Sequence, residues 1–168
     1  MSNMADRAHQ VIESYKGDTE EELPITAYVG LSVAFLGGFV TVLGLTVRKR
    51  KLPIRMETRD MLLIGLATHW LTRVVSRERV TIPLRAPFTR RTKSQRSGDI
   101  KEKPRGAGLR RAVGSLVTCP FCMGPWTASV LSVGLIWFPR PARWAMGMFG
   151  AVAVSDFLHH IYARVRQH

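Results

Sequence analysis

The chain has 168 residues, of which 46% are apolar, and its 25 Lys and Arg against 12 Asp and Glu give a formal charge of +13. A soluble core of this length rarely carries so much unbalanced charge. The charge is confined to blocks, with thirteen Lys and Arg between residues 73 and 111, and long uncharged runs separate the blocks. This layout is typical of a small polytopic membrane protein, and it explains the basic clusters without nucleic-acid binding, which we do not expect.

Residues 1–24 form an acidic tail with six Asp and Glu, and they do not have the pattern of a cleavable signal peptide. The next 23 residues carry no charge. At about 1.5 Å per residue, a helix of that length crosses a hydrocarbon core of about 30 Å, so we predict a transmembrane helix over 25–47. Gly30, Ala34 and Gly38, spaced by four, give this helix a smooth face for packing against another helix.

Residues 57–79 predict an amphipathic helix that lies at the membrane surface or inserts only partly; the alternative is a full crossing with its polar face turned into a bundle. Its apolar run is short for a full crossing, and His69, Arg73 and Arg77 fall on one polar face. Residues 80–111 follow as a basic loop, since their Pro and Gly residues interrupt any long regular element. We expect this loop to lie in the cytoplasm and to contact anionic lipid headgroups.

Residues 109–117 predict a short helix, and residues 112–165 contain a cysteine turn followed by a transmembrane hairpin whose own turn is Pro139–Pro141. Gly147, Ala151 and Ser155 give the second helix of the hairpin another smooth face. The whole chain is therefore predicted to be an all-α integral membrane protein, with three to four helices that cross or line the bilayer. The distribution of charge around the first helix places the N-terminus outside, and the last arginines place the C-terminus inside.

The only cysteines, Cys119 and Cys122, flank a Pro-Phe pair in the sequence CPFC. With only two cysteines, the chain is not a disulfide-stapled secreted domain. One interpretation is a redox site, because Cys119 precedes a helix with Pro120 in its first turn, and a helix N-terminus stabilises a thiolate. A second interpretation is structural, with two buried thiols in a tight turn.

The third interpretation of CPFC is a metal site for zinc or iron. Two thiolates spaced in this way resemble a zinc knuckle and need two more ligands. His69 is the candidate third ligand, and His159 or His160 the fourth; alternatively, a homodimer supplies four sulfurs. If the turn binds metal, we expect it to face the reducing cytoplasm.

Asp156 is the one acid in the apolar C-terminal region. An ionised carboxylate there is costly unless it is paired. Arg73 or His160 can supply the partner, and we interpret the group as a buried polar pair with a structural role rather than as a proton relay.

Three segments, LATHWLTRVVSRERVTIPLRAPFT, EKPRGAGLRRAVGSLVTCPFCMGPW and AVSDFLHHIY, resemble an uncharacterised family of bacterial membrane proteins that includes the sporulation protein YjcA. The resemblance covers about residues 60–162 and leaves the first predicted helix outside. It implies a bacterial cytoplasmic-membrane protein, an association with sporulation in some members, and no established reaction. It also draws attention to the segments LRAPFT, EKPRG, CPFC and SDF.

The sequence therefore favours a structural or accessory membrane protein that packs against itself or against a membrane-protein partner. The alternative is a metal-dependent or thiol–disulfide enzyme centred on Cys119 and Cys122. We find no glycine-rich phosphate loop, paired-histidine zinc helix or nucleophile elbow, so the sequence predicts no catalytic residue outside the CPFC turn.

Overall fold

The computed structural model describes residues 24–49, 56–91 and 102–166, so the predicted acidic tail lies outside the described residues apart from Pro24. The fold is mostly helical, as the sequence predicts. The elements in chain order are helix α1 (Ile25–Lys49), helix α2 (Thr58–Arg77), a 3-10 turn (Arg79–Thr81), the short helix α3 (Ile82–Arg85), strand β1 (Thr89–Arg91), strand β2 (Glu102–Pro104), helix α4 (Gly108–Thr118), helix α5 (Pro120–Trp137) and helix α6 (Pro139–Arg166).

Prolines mark the starts of the two helices that end the chain. Pro120 is the first residue of α5 and Pro139 the first residue of α6. Proline suits this position because its fixed φ is helical and its missing N–H has no intrahelical partner there. The turn predicted over Pro139–Pro141 is consequently already helical, and only Phe138 separates α5 from α6.

Helix α2 is the centre of the bundle and packs along both α5 and α6. The buried core joins Ile64 and Ala67 of α2 to Leu135 of α5 and Met146 of α6. These two α2 residues are three apart, as expected for one apolar face of a helix. The segment that the sequence assigned to the membrane surface or to partial insertion is therefore a full member of the bundle.

Two ion pairs join α2 to α6 and reveal their relative direction. Asp60 accepts two hydrogen bonds from Arg143, of 2.9 and 2.8 Å. Arg73 lies 3.5 Å from Asp156. In both pairs the partners are 83 residues apart in the sequence. Because an equal step along each helix leads from one pair to the next, α2 and α6 run in the same direction.

Helices α1 and α5 are also parallel to each other. The rings of Phe35 and Trp126 are 4.8 Å apart, and the indole N–H of Trp137 donates to the hydroxyl of Thr46 at 3.3 Å. Both pairs join residues that are 91 apart in the sequence. Because this separation is constant, α1 and α5 run in the same direction, and each residue of α1 lies level with the residue 91 positions later in α5.

These directions gather several chain segments at one end of the bundle, which we call the ribbon end after strands β1 and β2. The buried Arg85 donates to the carbonyl of Val75 near the end of α2, and Tyr28 at the start of α1 donates to Ser115 of α4 at 2.8 Å. Because α6 is parallel to α2, its C-terminus also points to this end. The sequence placed the N-terminus and the C-terminus on opposite sides, whereas the described chain begins and ends at the same end.

The reason for this difference is that α2 acts as a fourth long helix, which makes the number of passes through the bundle even. Among the described helices, α1 alone is long and apolar enough to cross a membrane by itself. Helices α4 and α5 satisfy the same test only together, as one span bent by 84°. The full span predicted within α6 does not satisfy it.

Candidate functional site

The segments LRAPFT and EKPRG meet in the ribbon. Strands β1 and β2 are antiparallel, with Thr89 opposite Pro104 and Arg91 opposite Glu102. The N–H of Arg105 donates to the carbonyl of Phe88 at 2.8 Å and extends the pairing by one bond. The region predicted as a basic loop thus contains an ordered structure, whose strands are short, as its Pro and Gly content requires.

A buried arginine holds the base of the ribbon. The side chain of Arg85 is 1% exposed, and its Nε and Nη2 donate to the two carboxylate oxygens of Glu102, each at 3.1 Å. Its Nη1 donates to the carbonyl of Val75 and to the hydroxyl of Thr81, the latter at 2.9 Å. Guanidinium has the planar fork that this two-oxygen contact needs, which a lysine does not have. Arg85 therefore ties β2 to the end of α2 and to the 3-10 turn.

Thr89 completes the surroundings of the Glu102 carboxylate. Its hydroxyl lies 2.7 Å from Glu102 Oε2 and 3.0 Å from the carbonyl of Arg85, and it donates to one of them at a time. Burial by itself would raise the pKa of Glu102, but the hydrogen bonds from Arg85 and Thr89, together with the charge of Arg85, outweigh it. The pKa of Glu102 is consequently below its ordinary value, and the carboxylate is ionised at neutral pH.

Helix α4 lies directly against the ribbon because Gly114 has no side chain. A Cβ at this position would stand 2.4 Å from the carbonyl oxygen of Phe88 and 3.2 Å from Pro104. Arg110, one turn earlier, donates from Nε to the carbonyl of Pro87 at 2.7 Å. The turn into the helix uses Gly106 at φ +81°, a left-handed conformation that favours glycine. The ribbon thereby fixes α4 and, with it, the cysteine pair that follows.

Cys119 separates α4 from α5 and caps the second helix. Its sulfur accepts the N–H of Cys122 at 3.2 Å, and Pro120 occupies the first helical position, as the redox interpretation expects. The two sulfur atoms lie at disulfide-bonding distance, with their Cα atoms 5.2 Å apart. Phe121 between them is 91% exposed. The pair is therefore placed to form a disulfide, and Cys122 is itself exposed.

The structure does not bring the predicted metal ligands together within one chain. Among residues 24–49, 56–91 and 102–166, no three His, Cys, Asp or Glu side chains form a group that could hold a metal ion. The ring of His69 stacks on Phe157 of α6, with centroids 5.3 Å apart. His160 places Nδ1 2.7 Å from the backbone carbonyl of Asp156. A four-sulfur site shared by two chains stays a prediction.

Of the two partners considered for Asp156, the structure places Arg73 beside its carboxylate. The distance is 3.5 Å, and each side chain is about one third exposed. His160 instead contacts the backbone of Asp156, as just described. This pair lies in the open part of the α2–α6 contact and is much looser than the one between Asp60 and Arg143.

The two predicted small-residue faces are not used for close packing inside the chain. Added Cβ atoms at Gly30, Gly38 and Gly147 would meet nothing within 4 Å. Ala34, Ala151 and Ser155 are exposed. The glycine of α6 that does pack closely is Gly150, whose Cβ would stand 3.5 Å from Leu66.

Sequence reasoning missed four positions that shape the site: Arg85, Glu102, Gly114 and Gly150. The first two lie in segments that the family resemblance had marked, and their opposite charges were a usable signal. Nothing in the sequence distinguished the two glycines, since their close contacts come from distant parts of the chain.

The family described as a protein of unknown function (DUF1360) matches residues 63–162, which is more than half of the chain. The chain belongs to the DUF1360 family. The match confirms the resemblance seen in the sequence, and it covers most of α2, the ribbon, α4, α5 and most of α6. Helix α1 lies outside the DUF1360 match.

Two curated relatives come from Bacillus subtilis strain 168. The chain is 23% identical to the sporulation protein YjcA over 107 residues, which are 62% of this chain and 91% of YjcA. It is 25% identical to the UPF0713 protein YngL over 106 residues, which are 61% of this chain and 79% of YngL. No solved structure matches the chain.

We predict that Glu102→Gln lowers the free energy of unfolding by about 3 kcal/mol, because it leaves the buried charge of Arg85 without its carboxylate. The exposed neighbour Lys103 supplies the control Lys103→Gln, which should change stability by less than about 0.5 kcal/mol. Thermal unfolding of both variants in detergent measures the difference.

The same pair predicts a pH dependence. The pKa of Glu102 is lowered in the folded protein, so its stabilisation is complete above the unfolded value of about 4.3 and is lost as the pH falls through the folded value. The gap in stability between the native protein and Glu102→Gln should therefore shrink below about pH 4. A gap that is constant from pH 7 to pH 3 would contradict the role of the ionised carboxylate.

We also predict that Gly114→Ala separates α4 from the ribbon, because the new methyl group would overlap the Phe88 carbonyl. Overpacking of this kind costs about 1–3 kcal/mol. Gly134→Ala in α5 is the matched control, since a Cβ there meets nothing within 4 Å. Hydrogen exchange at the amide of Arg105 reports the ribbon directly, and equal exchange in the two variants would refute the close packing.

Proposed function

We propose that this protein is a small integral membrane protein with a structural or accessory role, built as a helical bundle that holds an ordered basic ribbon at the membrane surface. The observation that carries the proposal is the amount of apolar surface that the fold leaves exposed. Only Thr46 is buried along the 25 residues of α1. Exposed large apolar side chains include Val29, Val33, Leu36, Val40, Leu45 and Val47 on α1, and Phe157, Leu158, Ile161, Tyr162 and Val165 on α6.

An apolar surface of this extent is unstable in water and suits the interior of a bilayer. Charged groups on α2 and α6 are compatible with a bilayer where they are paired with each other, as Asp60 is with Arg143. Helix α4 meets α5 at a steep angle, which suits a helix lying along the membrane surface. We therefore propose a multi-pass arrangement in the bacterial cytoplasmic membrane, with α1, α2, α5 and α6 as its four passes.

We propose that the ribbon end faces the cytoplasm. Thirteen Lys and Arg lie between residues 73 and 111, compared with six between residues 48 and 59, and positive residues favour the cytoplasmic side. This orientation keeps the basic segment, the cysteine turn and the C-terminus inside, and it moves the N-terminus inside as well. Exposed Arg90, Arg91 and Lys103 on the ribbon are then available to anionic lipid headgroups.

The unused small-residue faces support packing against another helix. Gly147, Ala151 and Ser155 recur every four residues along α6, and none of them is covered by a close neighbour inside the chain in the way that Gly150 is. Small residues let two backbones approach closely in a membrane, so we propose a second copy of the chain or a membrane-protein partner on this face. The name of the relative YjcA supports an association with sporulation.

A second candidate function, thiol–disulfide exchange, is favoured by one specific observation. The sulfur of Cys119 both caps α5 and lies at bonding distance from the sulfur of Cys122. A helix N-terminus stabilises the thiolate that attacks or leaves during exchange. At a cytoplasmic face such a disulfide would be transient, because cytoplasmic thiols are kept reduced.

We predict that reporter fusions at residues 20, 95 and 168 give cytoplasmic signals and that a fusion at residue 53 gives an external signal. The four-pass arrangement requires this pattern, since Pro24 and Arg166, where the described chain begins and ends, both lie at the ribbon end. The protein should also stay in the membrane pellet after alkaline carbonate extraction. Opposite signals at residues 20 and 168 would exclude an even number of crossings, and release by carbonate would exclude integral insertion.

We predict that Ala151→Leu weakens self-association in bilayers about tenfold, because a larger side chain keeps two helices apart. Val152→Leu, at the next and already large apolar position, is the control. Energy transfer between labelled chains in liposomes measures the association. If neither variant changes the signal, the face of α6 that contains residue 151 contacts lipid.

A further inference from the structure

The cysteine pair lies beside a cavity that no sequence motif predicted. This cavity has a volume of about 430 Å³ and lies between α1, α4 and α5, with Cys122 in its wall. Most of its lining is apolar, and the exceptions besides the cysteine are the hydroxyls of Tyr28, Ser32 and Ser115. Tyr28 donates to Ser115 at 2.8 Å. The cavity therefore combines a redox-capable sulfur with a few hydrogen-bonding groups.

A second cavity of about 250 Å³ continues along the α1–α5 contact. The two cavities share Phe35 and Trp126 as walls. Beyond these rings the lining is almost entirely apolar, with Ala34 and Gly38 on the α1 side. Its single hydroxyl, on Ser129, is engaged with the carbonyl of Pro125. The Phe35 and Trp126 rings contact each other, with centroids 4.8 Å apart, and separate the two cavities. Together the cavities make a two-part groove, with a hydroxyl-bearing head next to Cys122 and an apolar tail beyond the ring pair.

The register between α1 and α5 gives the depth of this groove in the bilayer. A constant separation of 91 residues places Cys122 opposite Leu31, and both residues line the first cavity. Leu31 is six residues after the start of α1, which corresponds to about 9 Å along the helix. When α1 spans the membrane, Cys122 lies below the headgroups, where a lipid-soluble molecule has easier access than a dissolved one.

The lining also indicates the class of molecule. Among the described residues that line the two cavities, none carries a charged side chain, so the groove has no counter-charge for a phosphate headgroup. Hydroxyl donors instead suit the carbonyl oxygens of a neutral ring. The combined volume is in the range of ordinary small-molecule sites, and the apolar tail suits an isoprenoid chain.

We propose that this groove binds a membrane quinone and that the Cys119–Cys122 pair passes electrons to it, an inference that rests on the proposed thiol–disulfide function. The sulfur of Cys122 adds to the quinone ring and forms a C–S bond. The thiolate of Cys119 then attacks the sulfur of Cys122, so the S–S bond forms, the C–S bond breaks, and its electron pair stays on the ring. The two protons lost by the thiols reach the two ring oxygens, and the quinone leaves as hydroquinone.

This reaction also gives a source for a disulfide at the cytoplasmic face. Glutathione and thioredoxin reduce accessible disulfides there, so the bridge has to be renewed by an oxidant. A quinone delivered through the lipid supplies that oxidant without passing through the reducing solution. The disulfide is then free to exchange with a dithiol substrate that approaches from the side of the turn where Phe121 is exposed.

The test uses the full chain in lipid nanodiscs, reduced and then freed of reductant in oxygen-free buffer. A decyl-substituted benzoquinone is the probe, with glutathione disulfide as a second, water-soluble oxidant. We expect one hydroquinone per chain by absorbance and a Cys119–Cys122 bridge by mass spectrometry. Cys122→Ser should abolish both products.

Matched glycine variants on α1 test the groove itself. Gly38→Leu fills the apolar tail and should lower the rate with the decyl quinone, relative to the rate with glutathione disulfide, about tenfold. Gly44→Leu places the same side chain outside the groove and should leave both rates unchanged. The quinone site would be refuted if the ratio of the decyl-quinone rate to the glutathione-disulfide rate were the same in the two variants while glutathione disulfide still formed the bridge. Thiol–disulfide exchange would then remain supported. A pair that neither oxidant bridges would overturn both.

Discussion

The buried ion pair between Arg85 and Glu102 is the interaction on which the ribbon end depends. Removing two charges from water is costly, and the cost is recovered only when the geometry is good and the remaining polar atoms are hydrogen-bonded. Both conditions hold here, since the contact uses two carboxylate oxygens and the guanidinium also reaches Val75 and Thr81. The pair closes the ribbon, the ribbon supports α4 through Gly114, and α4 leads directly to the cysteine pair.

Two fixed registers between parallel helices determine how the bundle is arranged. The 83-residue separation joins α2 to α6, and the 91-residue separation joins α1 to α5. Together they bring the cysteine turn, the ribbon and both ends of the described chain to one end of the molecule. A redox-capable pair, a basic surface and the entrance to an apolar groove are therefore neighbours, although they come from separate parts of the chain.

The DUF1360 match does not cover every element that surrounds the cysteine pair. The match at residues 63–162 includes Arg85, Glu102 and both cysteines. Helix α1 lies outside it and yet supplies one wall of the groove next to Cys122. The groove in its present form is consequently built partly from the family region and partly from a helix that precedes it.

The sequence by itself determined the local features of this protein. A long uncharged run specified α1, and CPFC specified a helix preceded by Cys119 with Pro120 in its first turn, because each of these depends on residues within a turn or two. The tertiary structure alone decided that Arg85 pairs with Glu102, that Gly114 and Gly150 are contact points, that α2 is central rather than superficial, and that His69 stacks on Phe157 instead of approaching the cysteines. Helical periodicity shows which residues share a face, but not which distant face will cover it or in which direction the covering helix runs.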